Sequence, residues 1–302
     1  MASENKKRSL KGIAEETLAS IEKGSYTLDD VSHPLTPSVD RSKRDTLYYA
    51  PDSLLSDWSS TPAPQSSSDT EISFLEISTL EGARLMSTSR PSGSPDPRKI
   101  GVLNFASAKK PGGGFLRGAQ AQEESIARSS TIYPTLMTDT AQQFYKLHSR
   151  DPKGGYYSHA MIYSPGILLF RDDRGGWTVP TEVDVLTSPA VNAGVARRTL
   201  HGMVAGGSVE GKIEVAMRER MARILFLFEK QAVQDVVLGS FGTGVFRNDV
   251  GMVARIWADL LAVKDARFKT SFERVTFAIL GKATFDQFKA SFEQQTSRTE
   301  SD

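Results

Sequence analysis

The sequence predicts an α/β fold built on a largely parallel or mixed central sheet. Three observations carry this expectation. From residue 71 onward, apolar runs of strand length alternate with helical patterns. Two glycine-rich stretches each follow a strand pattern and precede a helical one. Hydrophobic residues make up 39% of the 302 residues, enough for a sizeable core.

The elements follow in order. Ile13, Ala14, Thr17, Leu18 and Ile21 recur at helical spacing, and Gly24 stands where a C-cap belongs. Tyr26-Thr27-Leu28 reads as a short strand. Residues 59–70 hold nine Ser, Thr or Pro in twelve positions, and 87–97 are similar. Such stretches bury too little apolar area to offset ordering, so both are expected as open loops within one domain. Ile72 to Ile77 alternates like a strand, and Ser78-Thr79-Leu80-Glu81 then resembles a capping box. Lys99 to Ala106, Met161 to Tyr163, Gly166 to Phe170, Val183 to Leu186, Val236 to Leu238 and Val275 to Leu280 read as strands. Helices are expected over about 209–230, 250–263 and 285–292, with a frayed tail after them. The domain division that results has three parts. Residues 1–70 form an N-terminal extension, with a helix and a flexible loop, packed on the core. Residues 71–295 form the catalytic domain, and 296–302 a disordered tail.

Composition removes several chemistries. There is no cysteine, so thiol nucleophiles, disulfides and Cys-ligated zinc are excluded. His33, His148, His159 and His201 show no metal-binding spacing, so no metal site is expected. No G-x-S-x-G elbow is present. The net charge of +1 argues against a broad basic surface for sequence-specific nucleic acid. No apolar run reaches the roughly 20 residues of a membrane span, and no secretory leader is visible. An intracellular setting, cytoplasmic or nuclear, is expected.

The chemistry concentrates in two loops. Asn104 ends a strand, Gly112-Gly113-Gly114 follow Pro111, and a helix begins near Gln122 with Glu123 and Glu124. Adjacent glycines let backbone N–H groups approach an anion closely, although a plain flexible turn also uses them. The second loop, Gly239 to Asp249, again lies between strand and helix, and contains Gly242, Thr243, Gly244, Val245 and Phe246. Two such loops at strand ends suit the two phosphates of a diphosphate. Phe246 either shapes the pocket around a ribose or base, or pins its loop to the core.

Together these segments resemble the microbial-type poly(ADP-ribose) glycohydrolases of the macrodomain superfamily. The signature is a triple glycine followed after six to eight residues by Gln-Glu-Glu. Here seven residues separate Gly114 from Gln122-Glu123-Glu124. The helix at 11–26, the second loop and residues Thr187 to Gly194 are also similar to the family. The second loop departs from it at Phe241 and Thr243, where members often carry Trp and Cys.

The resemblance implies a three-layer α/β/α fold with a mixed sheet. It implies hydrolysis of ribose–ribose O-glycosidic bonds from the ends of poly(ADP-ribose), releasing ADP-ribose, with no cofactor. The polymer or ADP-ribosylated proteins would be the partners. On its pattern Glu124 is the catalytic acid and Glu123 holds the terminal ribose. Asn104 stands near that ribose, Gly112 to Gly114 line the catalytic loop, Gln122 joins the substrate-binding residues, Gly242 to Val245 line the diphosphate, and Phe246 positions the ribose. Neighbours on a helix diverge by about 100°, so Glu123 and Glu124 are not expected to flank one bond from opposite sides. Two alternatives stay open: hydrolysis of another adduct (a mono-ADP-ribosyl ester or ADP-ribose-1″-phosphate), or ADP-ribose binding without turnover.

Overall fold

A computed structural model describes residues 9–64, 68–89, 98–150, 154–199 and 208–299. From residue 90 the expected loop at 87–97 falls outside them, as do His201 and the last three residues of the expected tail.

Helix α1 (Leu10–Lys23) begins at Ser9, whose side chain accepts from the Gly12 N–H, and ends at Gly24 in the left-handed region. A hairpin follows, β1 (Ser25–Leu28) with β2 (Val31–Pro34), and then α2 (Thr36–Asp45). The central sheet has seven strands. They are β3 (Leu47–Tyr49), β4 (Glu71–Leu75), β5 (Ile100–Phe105), β6 (Met161–Arg171), β7 (Trp177–Ser188), β8 (Asp235–Leu238) and β9 (Arg274–Ala278). Their spatial order is β3-β6-β7-β5-β8-β9-β4. The run from β7 to β4 is parallel, while β6 pairs antiparallel with both β3 and β7.

The remaining helices are α3 (Thr79–Thr88), α4 (Gln122–Ser129), α5 (Ile132–Leu136), α6 (Asp139–Ser149), α7 (Ala193–Ala196), α8 (Ser208–Lys230), α9 (Val250–Leu261) and α10 (Lys282–Thr299). The strands' two-residue alternation splits the core into two layers. Leu103, Val236, Leu238 and Phe277 face one cluster with Met221, Phe228, Trp257 and Phe288 of α8, α9 and α10. Val102, Val185 and Val237 face the other, with Leu80, Ile126 and Phe144 of α3, α4 and α6. The result is the three-layer α/β/α arrangement with a mixed sheet.

Four local expectations change. Residues 161–163 and 166–170 are one strand, β6, whose register shifts between Ser164 and Ile167. The stretch flanking residues 65–67 is tied down rather than open: the Arg267 guanidinium donates to the Trp58, Thr61 and Pro62 carbonyls, and Thr70 Oγ1 to that of Phe272. The last helix runs from Lys282 through Thr299, so 296–299 are helical. The first 70 residues also supply the edge strand β3, which joins them to the central sheet itself. Among the described residues, no helix is long and apolar enough to cross a membrane.

Candidate active site

Strands β5 and β8 are parallel neighbours, so the loops that leave their carboxyl ends emerge side by side. The first loop runs from Ala106 to Ala121 and the second from Gly239 to Asp249. They share a cleft of about 950 Å³. Its lining includes Ser107, Gly113, Glu124, Gly242, Gly244 and Phe246.

The first loop is held against the start of α4. Gln122 Oε1 accepts from the Phe105 N–H at 2.8 Å, and its Nε2 donates to the Leu103 carbonyl at 2.7 Å. The Gln122 amide thus clasps the end of β5 and fixes where α4 begins. Glu123 Oε2 accepts from the Ser107 N–H at 2.6 Å, and Glu124 Oε1 from the Gly114 N–H at 2.8 Å. Gly112 and Gly113 both have positive φ, 65° and 61°. A Cβ on Gly113 would lie 2.3 Å from Glu124 Oε1 and 2.9 Å from Glu123 Oε2. The backbone there threads between the two carboxylates, which only glycine permits. Although the two side chains leave the helix in different directions, the loop brings both carboxylates to one glycine.

Their surroundings differ. Glu123 is only 3% exposed, while Glu124 is partly exposed at the cleft. Burial pushes the Glu123 carboxyl well above the usual range; the Ser107 hydrogen bond opposes this and the Glu124 charge adds to it. Asn104, 1% exposed, lies beneath the site, and its Nδ2 donates to Thr187 Oγ1 at 3.2 Å. Gly112 packs inward: a Cβ there would sit 2.9 Å from the Phe115 ring.

The second loop offers its backbone. Among the described residues, the N–H groups of Gly242, Gly244, Val245 and Phe246 donate to nothing in the protein. Thr243 Oγ1 turns back to the Ser240 carbonyl, and Asn248 Nδ2 braces the loop through the Val191 and Gly242 carbonyls. Phe246 is part-buried, with its ring centroid 6.0 Å from that of Tyr157. Free N–H groups and a left-handed turn at Gly242 form a concavity suited to an anion.

The two loops thus bring Glu123, Glu124 and Phe246 to one cleft, with Asn104 and Gly112 one layer behind. Sequence reasoning missed Ser107, Arg128 and Tyr157. Only Arg128 left a trace, standing one helical turn after Glu124.

Parallel strands ending in two glycine loops beside a carboxylate pair form an anion-accepting cleft at the strand ends of a macrodomain-like fold. The family model for the microbial-type PARG catalytic domain matches residues 14–172, and the chain belongs to that family. The poly(ADP-ribose) glycohydrolase of Thermomonospora curvata is similar at a TM-score of 0.82 and 36% identity, over 95% of this chain and 98% of that one. The same enzyme bound to the inhibitor ADP-HPD gives 0.79 and 35%, with the same coverage. The Deinococcus radiodurans poly(ADP-ribose) glycohydrolase in complex with ADP-ribose gives 0.74 and 30%, over 85% and 98%. Comparison with the curated proteins finds no match.

Proposed function

We propose that this chain is a poly(ADP-ribose) glycohydrolase that cleaves ribose–ribose O-glycosidic bonds from chain ends and releases ADP-ribose. The observation that carries the reading is the meeting of Glu123 and Glu124 with both glycine loops in one cleft. Relatives with 30% or more identity hold ADP-ribose or ADP-HPD. The substrate is the free polymer or ADP-ribosylated protein, met inside the cell. Leu10 of α1 walls the cleft, which fits attack at a terminal unit.

In this reading Glu124 gives its proton to the leaving ribose oxygen as the bond to the anomeric carbon breaks. Water then adds to that carbon and returns a proton to Glu124. Glu123, fixed by Ser107, accepts from a hydroxyl of the terminal ribose. The free N–H groups of the second loop hold the diphosphate, and its charge lies near the oxocarbenium-like centre. Phe246 walls the ribose.

The test is Glu124→Gln. Its expected loss on the polymer is about 10³-fold, within the range for a general acid, with ADP-ribose affinity retained. A variant at wild-type rate removes Glu124 from the chemistry. Wild-type turnover of monomeric adducts alone would point to the first alternative. ADP-ribose binding with no product from any adduct would point to a binding module.

A further inference from the structure

Four aromatic rings are in successive contact from the core to the second loop. Phe144 and His148, both fully buried on α6, have ring centroids 4.4 Å apart. His148 meets Tyr157 edge-on at 5.8 Å, and Tyr157 meets Phe246 at 6.0 Å with the ring planes tilted by 41°. Phe246 ends the series at the wall of the cleft. Among the described residues, Tyr157 is the one aromatic contact of Phe246.

Tyr157 holds this place in an unfavourable backbone conformation. Its φ is 54°, in the left-handed region where a bulky side chain is an outlier. Gly154 and Gly155, just before it, also take positive φ, 57° and 92°, but as glycines they do so without strain. Glycine would serve equally at 157 if only the turn mattered. The residues on either side are pinned. The Gly155 carbonyl accepts from the Asn192 N–H at 2.7 Å, and the Tyr156 carbonyl from Arg220 Nη2 at 2.8 Å. Ser158 N–H donates to His148 Nε2 at 3.2 Å, and Ser158 Oγ lies 2.7 Å from the same nitrogen. Tyr157 itself, through N–H, carbonyl or hydroxyl, makes no hydrogen bond among the described residues. What the strained position delivers is therefore the ring.

The Phe246 backbone is held separately. Its carbonyl accepts from the Gly194 N–H at 3.1 Å, and the next carbonyl, of Arg247, from Arg197 Nη1 at 2.8 Å. Asn192, whose N–H holds Gly155, also accepts from the Val195 N–H through its side chain at 3.0 Å. The turn at the start of α7 thus ties both backbone segments together, and the two rings meet across the space between them.

We propose that Tyr157 is a positioning residue: its ring sets the angle of Phe246 against the terminal ribose, and so aligns the anomeric carbon for reaction. This rests on the reading in which Phe246 walls that ribose. The diphosphate is held by loop N–H groups, and the braces of that loop from Asn248, Gly194 and Arg197 do not pass through Tyr157. Loss of the ring therefore falls on kcat rather than on binding.

The test measures kcat on the polymer, ADP-ribose affinity by calorimetry, and thermal melting, for the full chain and its variants. Tyr157→Gly removes the ring and suits the backbone, so it folds. Its kcat falls about tenfold while ADP-ribose affinity stays within about threefold. Tyr157→Phe keeps the ring and stays within about twofold of wild type in kcat. Phe246→Ala lowers kcat, and adding Tyr157→Gly to it lowers kcat no further, because the two act in series. A merely structural Tyr157 would instead add its own loss. The proposal is overturned by a folded Tyr157→Gly at wild-type kcat, by a Tyr157→Phe as impaired as Tyr157→Gly, or by additive losses in the double variant. Should Tyr157→Gly not fold, Tyr157→Asn, which tolerates the same φ, is read in its place. If neither folds, the ring holds the fold rather than the loop, and the proposal is equally overturned. Glu124→Gln runs alongside. Activity retained there sinks the reading beneath. An inactive Glu124→Gln with an undiminished Tyr157→Gly sinks only this inference.

Discussion

Glu123 and Glu124 are chain neighbours in unlike surroundings, and burial makes the difference. The Glu123 carboxyl holds its proton more tightly in the folded chain than in the unfolded one. Between the unfolded value, about 4.3, and the higher folded value, the native state binds more protons. Stability from this group is therefore full below the unfolded value and is lost as pH rises through the folded one. Glu123→Gln, whose amide oxygen still accepts from Ser107, lacks that loss. Its stability in urea is expected to gain on wild type between pH 4 and pH 7. A gap that is constant across this range contradicts the buried-carboxyl account. At this scale the site was half legible. The carboxylates were located through the family resemblance alone, whose signature spaces the triple glycine and Gln-Glu-Glu by six to eight residues, seven in this chain. That Gln122 would spend its amide on β5, or that Ala119 would link Gly114 to Arg128, depends on contacts with no sequence periodicity.

Each loop owes its shape to the elements around it. The second is braced from α7 and α8. Arg197 forks onto Glu210 at 2.6 and 2.9 Å and donates to the Arg247 carbonyl at 2.8 Å, while Gly194 N–H donates to the Phe246 carbonyl. Arg197→Met releases that carbonyl. The expected result is a KM for polymer raised about tenfold, an energy near 1.4 kcal/mol, with kcat within about twofold. Stability changes by less than about 1 kcal/mol, because the pair is half exposed. Steady-state kinetics and melting check both. An equal loss in kcat would place Arg197 in the chemistry instead.

The elements that could be read in advance are those with one strong apolar period. Strands β5, β8 and β9 are buried almost throughout, and α8 repeats Ile213, Met217, Met221, Ile224 and Phe228 on its covered side. Helix α2 escaped because TPSVDRSKRD buries only Val39 and Ser42. Strand β3 is three residues long, and the first half of β7 carries exposed Val179 and then Pro180. Tertiary contact rather than local pattern fixes such elements.

Across the whole molecule, the end of the sheet opposite the cleft is held by charge. Asp235 at the start of β8 is fully buried, and Arg274 at the start of β9 pairs with it through two nitrogens. Breaking such a pair from one side leaves a buried charge alone. Arg274→Met is expected to cost about 3 kcal/mol, lowering the melting temperature by about 5–10 °C, with ADP-ribose affinity unchanged. Calorimetry with and without ADP-ribose separates the two. A weakened affinity would mean that strain crosses the sheet to the loops.

The pairing of β4 with β9 joins Glu71 to Arg274 and Leu75 to Ala278, and the next residues, Ile279 and Leu280, wall the cleft. A nascent chain halted at residue 270 already carries both glycine loops and both glutamates, yet lacks that wall and the strand that sets it. A chain cut at residue 270 is therefore expected to be inactive on polymer, so the cleft is completed only late in translation, once residues 274–284 have cleared the ribosome.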